Sequence, residues 1–177
     1  MSEQGHRRID RISETTYVEG LADLSLEDLR VRRDECLAER EYLSLLRRLV
    51  QGRAEILRAE LESRASNQDL GPLVDRLAQV LGGGEEHESG SRGEAVHVGL
   101  PEEEMLLARR RIEALVADAG ISDPGSLDDQ RLESAVETLA AEERVVSGDR
   151  TTVLRVLDTL QDELKRRYKD DPTLALR

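Results

Sequence analysis

The stretch EREYLSLLRRLVQGRAEILRAEL, at residues 39–61, decides the fold because the chain contains a second, related copy of it. A shift of 103 positions aligns it with EERVVSGDRTTVLRVLDTLQDEL at residues 142–164. Both copies have helical periodicity, so the sequence predicts two related helices in one chain. The residue pairs that match between the copies are Ser44/Ser147, Arg47/Arg150, Val50/Val153, Glu55/Asp158, Leu57/Leu160, Glu60/Glu163 and Leu61/Leu164.

Each predicted helix carries two rows of apolar residues at the spacing of a coiled-coil seam. The first row consists of Leu29, Cys36, Leu43, Val50 and Leu57 in one helix and of Leu132, Leu139, Val146, Val153 and Leu160 in the other. The second row consists of Ala54 and Leu61, and of Val136, Leu157 and Leu164. Charged residues interrupt this second row, at Arg40 and Arg47 and at Glu143 and Arg150. A charge in a seam loses hydration and makes less apolar contact than leucine. The interruptions therefore indicate that these positions have a role beyond pairing the two helices.

The interrupting residues belong to a polar ladder on each helix. Steps of 4, 3, 4 and 4 residues keep five positions within about 80° of arc, because a helix turns about 100° per residue. Arginine can bind a phosphate or the O6/N7 edge of guanine, and a carboxylate can accept from the N1 and N2 donors of guanine. The ladders therefore suit a planar, polar, anionic ligand. The alternative is that these polar residues only fix the register of the two helices in an ordinary coiled coil. The ladder positions are Arg40, Ser44, Arg47, Gln51 and Glu55, and Glu143, Ser147, Arg150, Leu154 and Asp158.

The duplicated ladder resembles that of a known family. The spacing Glu-x3-Ser-x2-Arg-x3-Gln-x3-Asp on two long helices is similar to the signature of RsiG, an actinobacterial anti-sigma factor. The resemblance extends over residues 24–170 and implies an all-α fold, in which two long helices form an antiparallel coiled-coil hairpin with short connecting helices. It also implies that the hairpin binds cyclic di-GMP as a dimer and then sequesters a WhiG-class sigma factor, of the flagellar or sporulation type. The ligand-binding residues that the resemblance implies are Arg40, Ser44, Arg47, Gln51, Glu55, Glu143, Ser147, Arg150 and Asp158.

Three ladder positions depart from the motif of that family. Arg40 replaces a Glu and cannot accept hydrogen bonds, so any support that this Glu gives to Arg47 is lost here. Glu55 replaces an Asp and keeps the acceptor on a longer side chain, whereas Leu154 replaces a Gln and removes one polar contact. These departures affect the expected affinity more than the expected mode of binding.

The composition favours long helices over a compact globule. Of the 177 residues, 36% are charged, and the aromatic residues are three tyrosines. The net charge of −12 argues against nonspecific binding of DNA or RNA, although it is compatible with masking a basic surface on a partner protein. No stretch approaches the roughly 20 apolar residues of a membrane span, and no apolar region follows the N-terminus. We therefore expect a cytoplasmic protein that does not bind a membrane.

Turn and capping signals divide the chain into helices and connections. Ser25 with Asp28, and Ser126 with Asp129, resemble the residues that begin helices. The expected organisation is a disordered leader at 1–24, a helical hairpin domain at 25–170 and a frayed tail at 171–177. Within the domain we expect a long helix at 26–65, a short helix at 73–81, a flexible linker at 82–99, a helix at 101–119 and a long helix at 127–169.

The arginines of the ladders predict a role for the ligand in ordering the hairpin. Arg40, Arg47 and Arg150 are expected to repel one another across the seam, and anionic phosphates between them would remove that repulsion. Ligand binding would then order the two helices into a surface for the sigma factor.

Two other classes of function stay open. A ligand-independent coiled-coil scaffold or interaction protein would use the ladders only to fix the register. An enzyme is least favoured, because the sequence has no paired Cys and His, no His on the seams and no phosphate-binding loop, so we assign no catalytic or metal site. The single cysteine, Cys36, occupies a seam position and is expected to act as a small buried hydrophobe.

Overall fold

The computed structural model describes residues 8–66, 101–118 and 124–176. The described part has no strand, which confirms the all-α prediction, and none of its helices has the length and apolarity of a membrane span. The short helix predicted at 73–81 and the linker at 82–99 lie outside the described residues. The α-helices are α1 (Arg8–Ile12), α2 (Leu26–Ser66), α3 (Glu102–Asp118) and α4 (Asp129–Asp170).

The long helices α2 and α4 pack side by side in antiparallel directions, as predicted. Near one end of the pair, Arg30 Nε on α2 donates to the hydroxyl of Tyr168 on α4 at 3.1 Å. Near the other end, Arg64 Nη1 on α2 donates to Asp129 Oδ1 at the start of α4 at 2.9 Å. Helices of 41 and 42 residues are each about 60 Å long, so the hairpin is a long rod.

The seam residues predicted from the heptad pattern form the buried core. Every residue of the first row is at most 2% exposed, and the second row is buried or half-buried. Burial raises the pKa of the Cys36 thiol to about 11, which fits a packing role rather than a nucleophile. The heptad pattern missed Leu46, which lies outside both rows and is fully buried.

The two long helices begin differently from each other. Ser25 caps α2 as predicted, because its Oγ accepts from the backbone N–H of Asp28 at 3.0 Å. The predicted cap of α4 at Ser126 is wrong, since Ser126 belongs to a 3-10 turn at Pro124–Ser126. Asp128 is extended and accepts from the backbone N–H of Arg131 at 2.8 Å, so it caps α4 instead.

The leader is folded where the structure describes it, so the prediction of a disordered segment is wrong for residues 8–24. This segment forms α1 and two short 3-10 helices, at Thr15–Val18 and Leu21–Asp23. The Tyr17 hydroxyl donates to Glu35 Oε2 on α2 at 2.8 Å. These residues acquire a core only by packing on the hairpin, which no local pattern reveals. The buried residues of the segment are Ile9, Ile12, Tyr17 and Leu21.

Helix α3 confirms the helix predicted at 101–119 as far as the structure describes it, whereas the prediction of a frayed tail is wrong for residues 172–176. Helix α3 packs on α2 and buries Ala108, Ile112 and Val116. The predicted frayed tail instead forms a 3-10 helix at Pro172–Leu176. Its Leu174 carbonyl accepts from Arg30 Nη2 on α2 at 2.7 Å, so a distant side chain holds the tail.

Arg64 fastens the end of α2 to the start of α4. Its Nη1 donates to the carbonyl of Leu127 at 2.6 Å and to Asp129 Oδ1 at 2.9 Å. Its Nη2 donates to the carbonyl of Pro124 at 3.0 Å, and its Nε donates to Glu60 Oε1 at 2.9 Å. One guanidinium therefore holds the turn that precedes α4.

We expect Arg64→Ala to lower the free energy of unfolding and so the urea midpoint, because backbone carbonyls of the turn before α4 and two carboxylates lose a charged donor. Urea unfolding followed by circular dichroism measures the change. Arg53→Ala removes the same side chain from an exposed position on α2 and should leave the midpoint unchanged. Equal midpoints for the two variants would contradict this role of Arg64.

Candidate ligand site

The two polar ladders meet across the hairpin on one flank of the seam. Arg47 Nε on α2 donates to Glu143 Oε1 on α4 at 2.7 Å. Gln51 Nε2 donates to the same oxygen at 3.3 Å, and Ser147 Oγ donates to it at 2.9 Å. Four of the predicted site residues therefore form one cluster that joins the two helices. We call this cluster the Glu143 half of the site.

The neighbouring rung is built from three other predicted residues, which we call the Arg150 half. Arg150 Nε on α4 donates to Ser44 Oγ on α2 at 3.1 Å. The Ser44 hydroxyl in turn donates to the backbone carbonyl of Arg40 at 2.7 Å. The Arg40 guanidinium is paired with the adjacent Glu41, with Nη2 at 2.6 Å from Oε1.

Glu143 is the electrostatic centre of its half. The hydrogen bond from Arg47, followed by that from Ser147, lowers the pKa of the Glu143 carboxyl below its ordinary value. The carboxylate is therefore charged at neutral pH and compensates Arg47. The predicted repulsion among the three arginines is consequently wrong for Arg47, because Glu143 neutralises it.

An open cleft of about 340 Å³ continues from the Glu143 half along the hairpin. Glu55 lies on this cleft, beside Gln51 and Arg47, on an apolar floor formed by Val50 and Leu139. The cleft can therefore offer cationic, amide and acidic groups to a ligand.

The cleft includes Arg58, which the motif did not indicate as a site residue. Arg58 follows Glu55 by three residues and thus continues the 4-3-4-4 stepping of the first ladder. That stepping was the signal that could have identified it.

Two positions of the second ladder stand apart from these contacts. Asp158 is exposed on α4, two helical turns beyond Arg150, and the structure does not bring it to the other site residues. Leu154 lies half-buried on the same face and supplies no polar group.

The opposite flank of the hairpin is covered by α1 and α3. Arg111 on α3 pairs with Glu142 on α4 at 2.6 Å. Arg8 on α1 pairs with Glu104 on α3 at 2.6 Å and lies 3.7 Å from Glu39 on α2. Because Glu39 and Glu142 directly precede the first ladder positions, α1 and α3 dock at the same level as the ladders. Among the residues that the structure describes, no helix besides α2 and α4 contributes to the cleft on the ladder flank.

Glu39 is a buried carboxylate that neither the heptad pattern nor the ladder spacing indicates. Only 5% of the residue is exposed. Burial raises the pKa of its carboxyl above the ordinary value, Glu104 and Asp149 add to this, and Arg8 and Arg111 oppose it. A raised carboxyl pKa contributes stability that is present at low pH and lost as the pH rises through that pKa.

We therefore expect Glu39→Gln to raise the melting temperature at pH 7.5, because it removes a buried charge while Arg8 keeps its ion pair with Glu104. The gain should shrink toward pH 4, where Glu39 of the original chain is protonated. Scanning calorimetry across this range measures it, with Glu137→Gln as an exposed control. A lower melting temperature at pH 7.5 would show that the contact with Arg8 outweighs the effect of burial.

Comparison with known proteins gives one finding on the family. A family model described as RsiG-like matches residues 15–81. No curated protein matches the chain. The matched segment contains α2 and the first ladder, whereas the second ladder lies beyond it. The part that α4 plays in the site therefore rests on the duplicated sequence and on the contacts across the hairpin.

Proposed function

We propose that this chain is an anti-sigma factor that binds a sigma factor, and that cyclic di-GMP controls this activity. The match of residues 15–81 to the RsiG-like family model supports the assignment to this class of protein. In the proposal, the nucleotide binds as a dimer at the two ladders, and the loaded hairpin sequesters a WhiG-class sigma factor. The protein is proposed to act in the cytoplasm as a binding protein rather than as an enzyme.

The observation that supports this proposal most directly is that the two ladders meet on one flank of the seam. Arg47 and Glu143 lie 2.7 Å apart although they belong to different helices, and Arg150 contacts Ser44 in the next rung. A ladder that only solubilised the surface would point away from the facing helix. The ladders instead line the interhelical groove, where a ligand would contact both helices at once.

The chemistry of the groove suits a guanine dinucleotide. Guanidinium groups can bind phosphodiester oxygens or the O6/N7 edge of guanine, and Glu55 can accept from the N1 and N2 donors of the base. Two related helices in antiparallel packing also form a pseudo-two-fold arrangement, which agrees with the two-fold symmetry of a cyclic dinucleotide. Residues 26–64 contain nine arginines and nine acidic residues, so α2 can accept an anion although the whole chain is acidic.

The charge of the whole protein suits the proposed partner. A net charge of −12 favours binding to a basic surface of the kind that a sigma factor presents to DNA. Binding of the nucleotide would add phosphates between the two helices and stiffen the hairpin, so that its exposed faces present one fixed surface.

Capture of a WhiG-class sigma factor by the immobilised full chain tests the proposal. We expect retention with cyclic di-GMP and little retention without nucleotide. Cyclic di-AMP is the matched control, because it has the same phosphates while adenine lacks the N1–H and N2 donors of guanine. Equal capture with either nucleotide, or with none, would contradict control by cyclic di-GMP.

A ligand-independent scaffold is the second candidate, and the Glu143 half favours it in one respect. Glu143 already receives three hydrogen bonds from Arg47, Gln51 and Ser147, as a register device would. A scaffold predicts that Arg47→Ala and Arg150→Ala alter only the stability of the hairpin. Loss of nucleotide binding in these variants would exclude it.

A further inference from the structure

The two halves of the ladder site are built on one plan but are chemically unequal. The relation of 103 positions makes Arg150 the counterpart of Arg47, and it makes Arg40 the counterpart of Glu143. An ion pair between an arginine and a carboxylate in the Glu143 half therefore corresponds to two arginines in the Arg150 half. The sequence contains this difference, because Arg40 occupies the position that matches Glu143, and the contacts of each half differ accordingly.

The Glu143 half is internally satisfied. One carboxylate oxygen of Glu143 accepts from Arg47 at 2.7 Å, Ser147 at 2.9 Å and Gln51 at 3.3 Å. The side chains of Glu143 and Arg47 are 25% and 42% exposed, so water screens their ion pair in part, and the three hydrogen bonds to one oxygen are what hold Glu143 in place. An anion that binds Arg47 must first compete with this carboxylate.

The Arg150 half is not satisfied in this way. Within the described part of the chain, Arg150 uses only Nε, toward the Ser44 hydroxyl, and pairs with no carboxylate. Its two terminal nitrogens keep their four donors for another acceptor. Among the described residues, Arg40 is paired only with its own neighbour Glu41, a single contact within one helix that an anion can displace without breaking a bond between the helices.

We propose that the Arg150 half is a phosphate-binding site, which we call the phosphate seat, and that it is occupied before the Glu143 half. The terminal nitrogens of Arg150 bind two oxygens of a single phosphate or phosphodiester group, and Arg40 turns from Glu41 to supply the second cation. The Glu143 half fills in a second, weaker step, when Glu143 releases Arg47. The identity of the ligand rests on the proposed function, whereas the seat itself requires only a phosphate group.

Titration calorimetry of the full chain with cyclic di-GMP tests the order of filling. We expect two steps that differ in affinity by about tenfold or more. Arg150→Ala should remove the tighter step, and Arg47→Ala should remove the weaker one. Arg155→Ala removes an exposed arginine from the same helix as Arg150 and should leave both steps unchanged.

Arg40→Glu gives the reciprocal test and removes no core contact. The new carboxylate would stand to Arg150 as Glu143 stands to Arg47, so the tighter step should weaken about tenfold and the two steps should become alike. Two equal steps in the original chain, or equal losses from Arg47→Ala and Arg150→Ala, would overturn the proposal while leaving the ligand itself in place.

Thermal shift with pyrophosphate separates the seat from the nucleotide. We expect pyrophosphate to raise the melting temperature of the original chain and not that of Arg150→Ala. If cyclic di-GMP does not bind but pyrophosphate gives this pattern, the proposed function fails and the phosphate seat stands. If pyrophosphate has the same effect on both proteins, no phosphate seat exists at Arg150.

Discussion

The double variant Arg47→Ala/Arg150→Ala is expected to bind cyclic di-GMP at least about 100-fold more weakly than the original chain, while it keeps its helical hairpin. Each arginine would donate charge-assisted hydrogen bonds to the ligand, and each such contact contributes roughly 1.5–3 kcal/mol. Two losses together amount to about 3–6 kcal/mol, which corresponds to a factor of 10² to 10⁴ in the dissociation constant. Titration calorimetry measures the affinity, and circular dichroism verifies the helices.

The matched control for this variant is Arg53→Ala/Arg155→Ala. It removes one arginine from each long helix and so changes the net charge equally, but both of its positions are exposed. We expect its affinity to stay close to that of the original chain. A comparable loss in both double variants would mean that only the overall charge attracts the ligand, and the ladders would then have no specific role.

The second large effect is expected for Val146→Asp, which should unfold the hairpin or come close to doing so. Val146 is fully buried in the seam. An unpaired buried carboxylate loses its hydration, and removal of the valine also loses apolar contacts. A loss of about 4–5 kcal/mol is a large part of the 5–15 kcal/mol that stabilises a typical domain. Thermal unfolding followed by circular dichroism measures the result.

The adjacent residue supplies the control, because Val145 is 53% exposed on the same helix. Val145→Asp makes the same chemical change one position away and should alter the free energy of unfolding by no more than about 0.5 kcal/mol. Similar losses for the two variants would show that Val146 does not face the partner helix in the seam.

The heptad rows were predictable from the sequence because they depend on local spacing alone. A row such as Leu132, Leu139 and Val146 repeats over many turns, and the shared face of a helix follows directly from that period. The same reasoning placed Arg47 and Glu143 on facing helices, where the structure pairs them. Long periodic signals of this kind leave few alternatives, so the architecture followed from them.

The parts that the sequence did not reveal depend on contacts between distant segments. Ile12 and Tyr17 are single apolar residues in a polar stretch, and they become core residues only because α1 and the turns after it lie on the hairpin. Glu39 looked like one more charged residue of a long helix, and its burial required Arg8 and Glu104 from elsewhere in the chain. Such residues have no spacing that marks them in advance.

The difference between the Glu143 half and the Arg150 half could be predicted only in part. The sequence showed that Arg40 stands where Glu143 has its counterpart. It could not show that Arg150 would turn to the Ser44 hydroxyl or that Arg40 would turn to Glu41, because side-chain choices depend on every neighbour within a few ångströms.

Binding of cyclic di-GMP to the paired ladders can be measured by titration calorimetry of the full chain with this nucleotide at about 150 mM salt, where charge screening is close to physiological. We expect saturable binding of a nucleotide dimer to each chain, together with a higher melting temperature of the complex. No heat and no thermal shift at high micromolar nucleotide would contradict it.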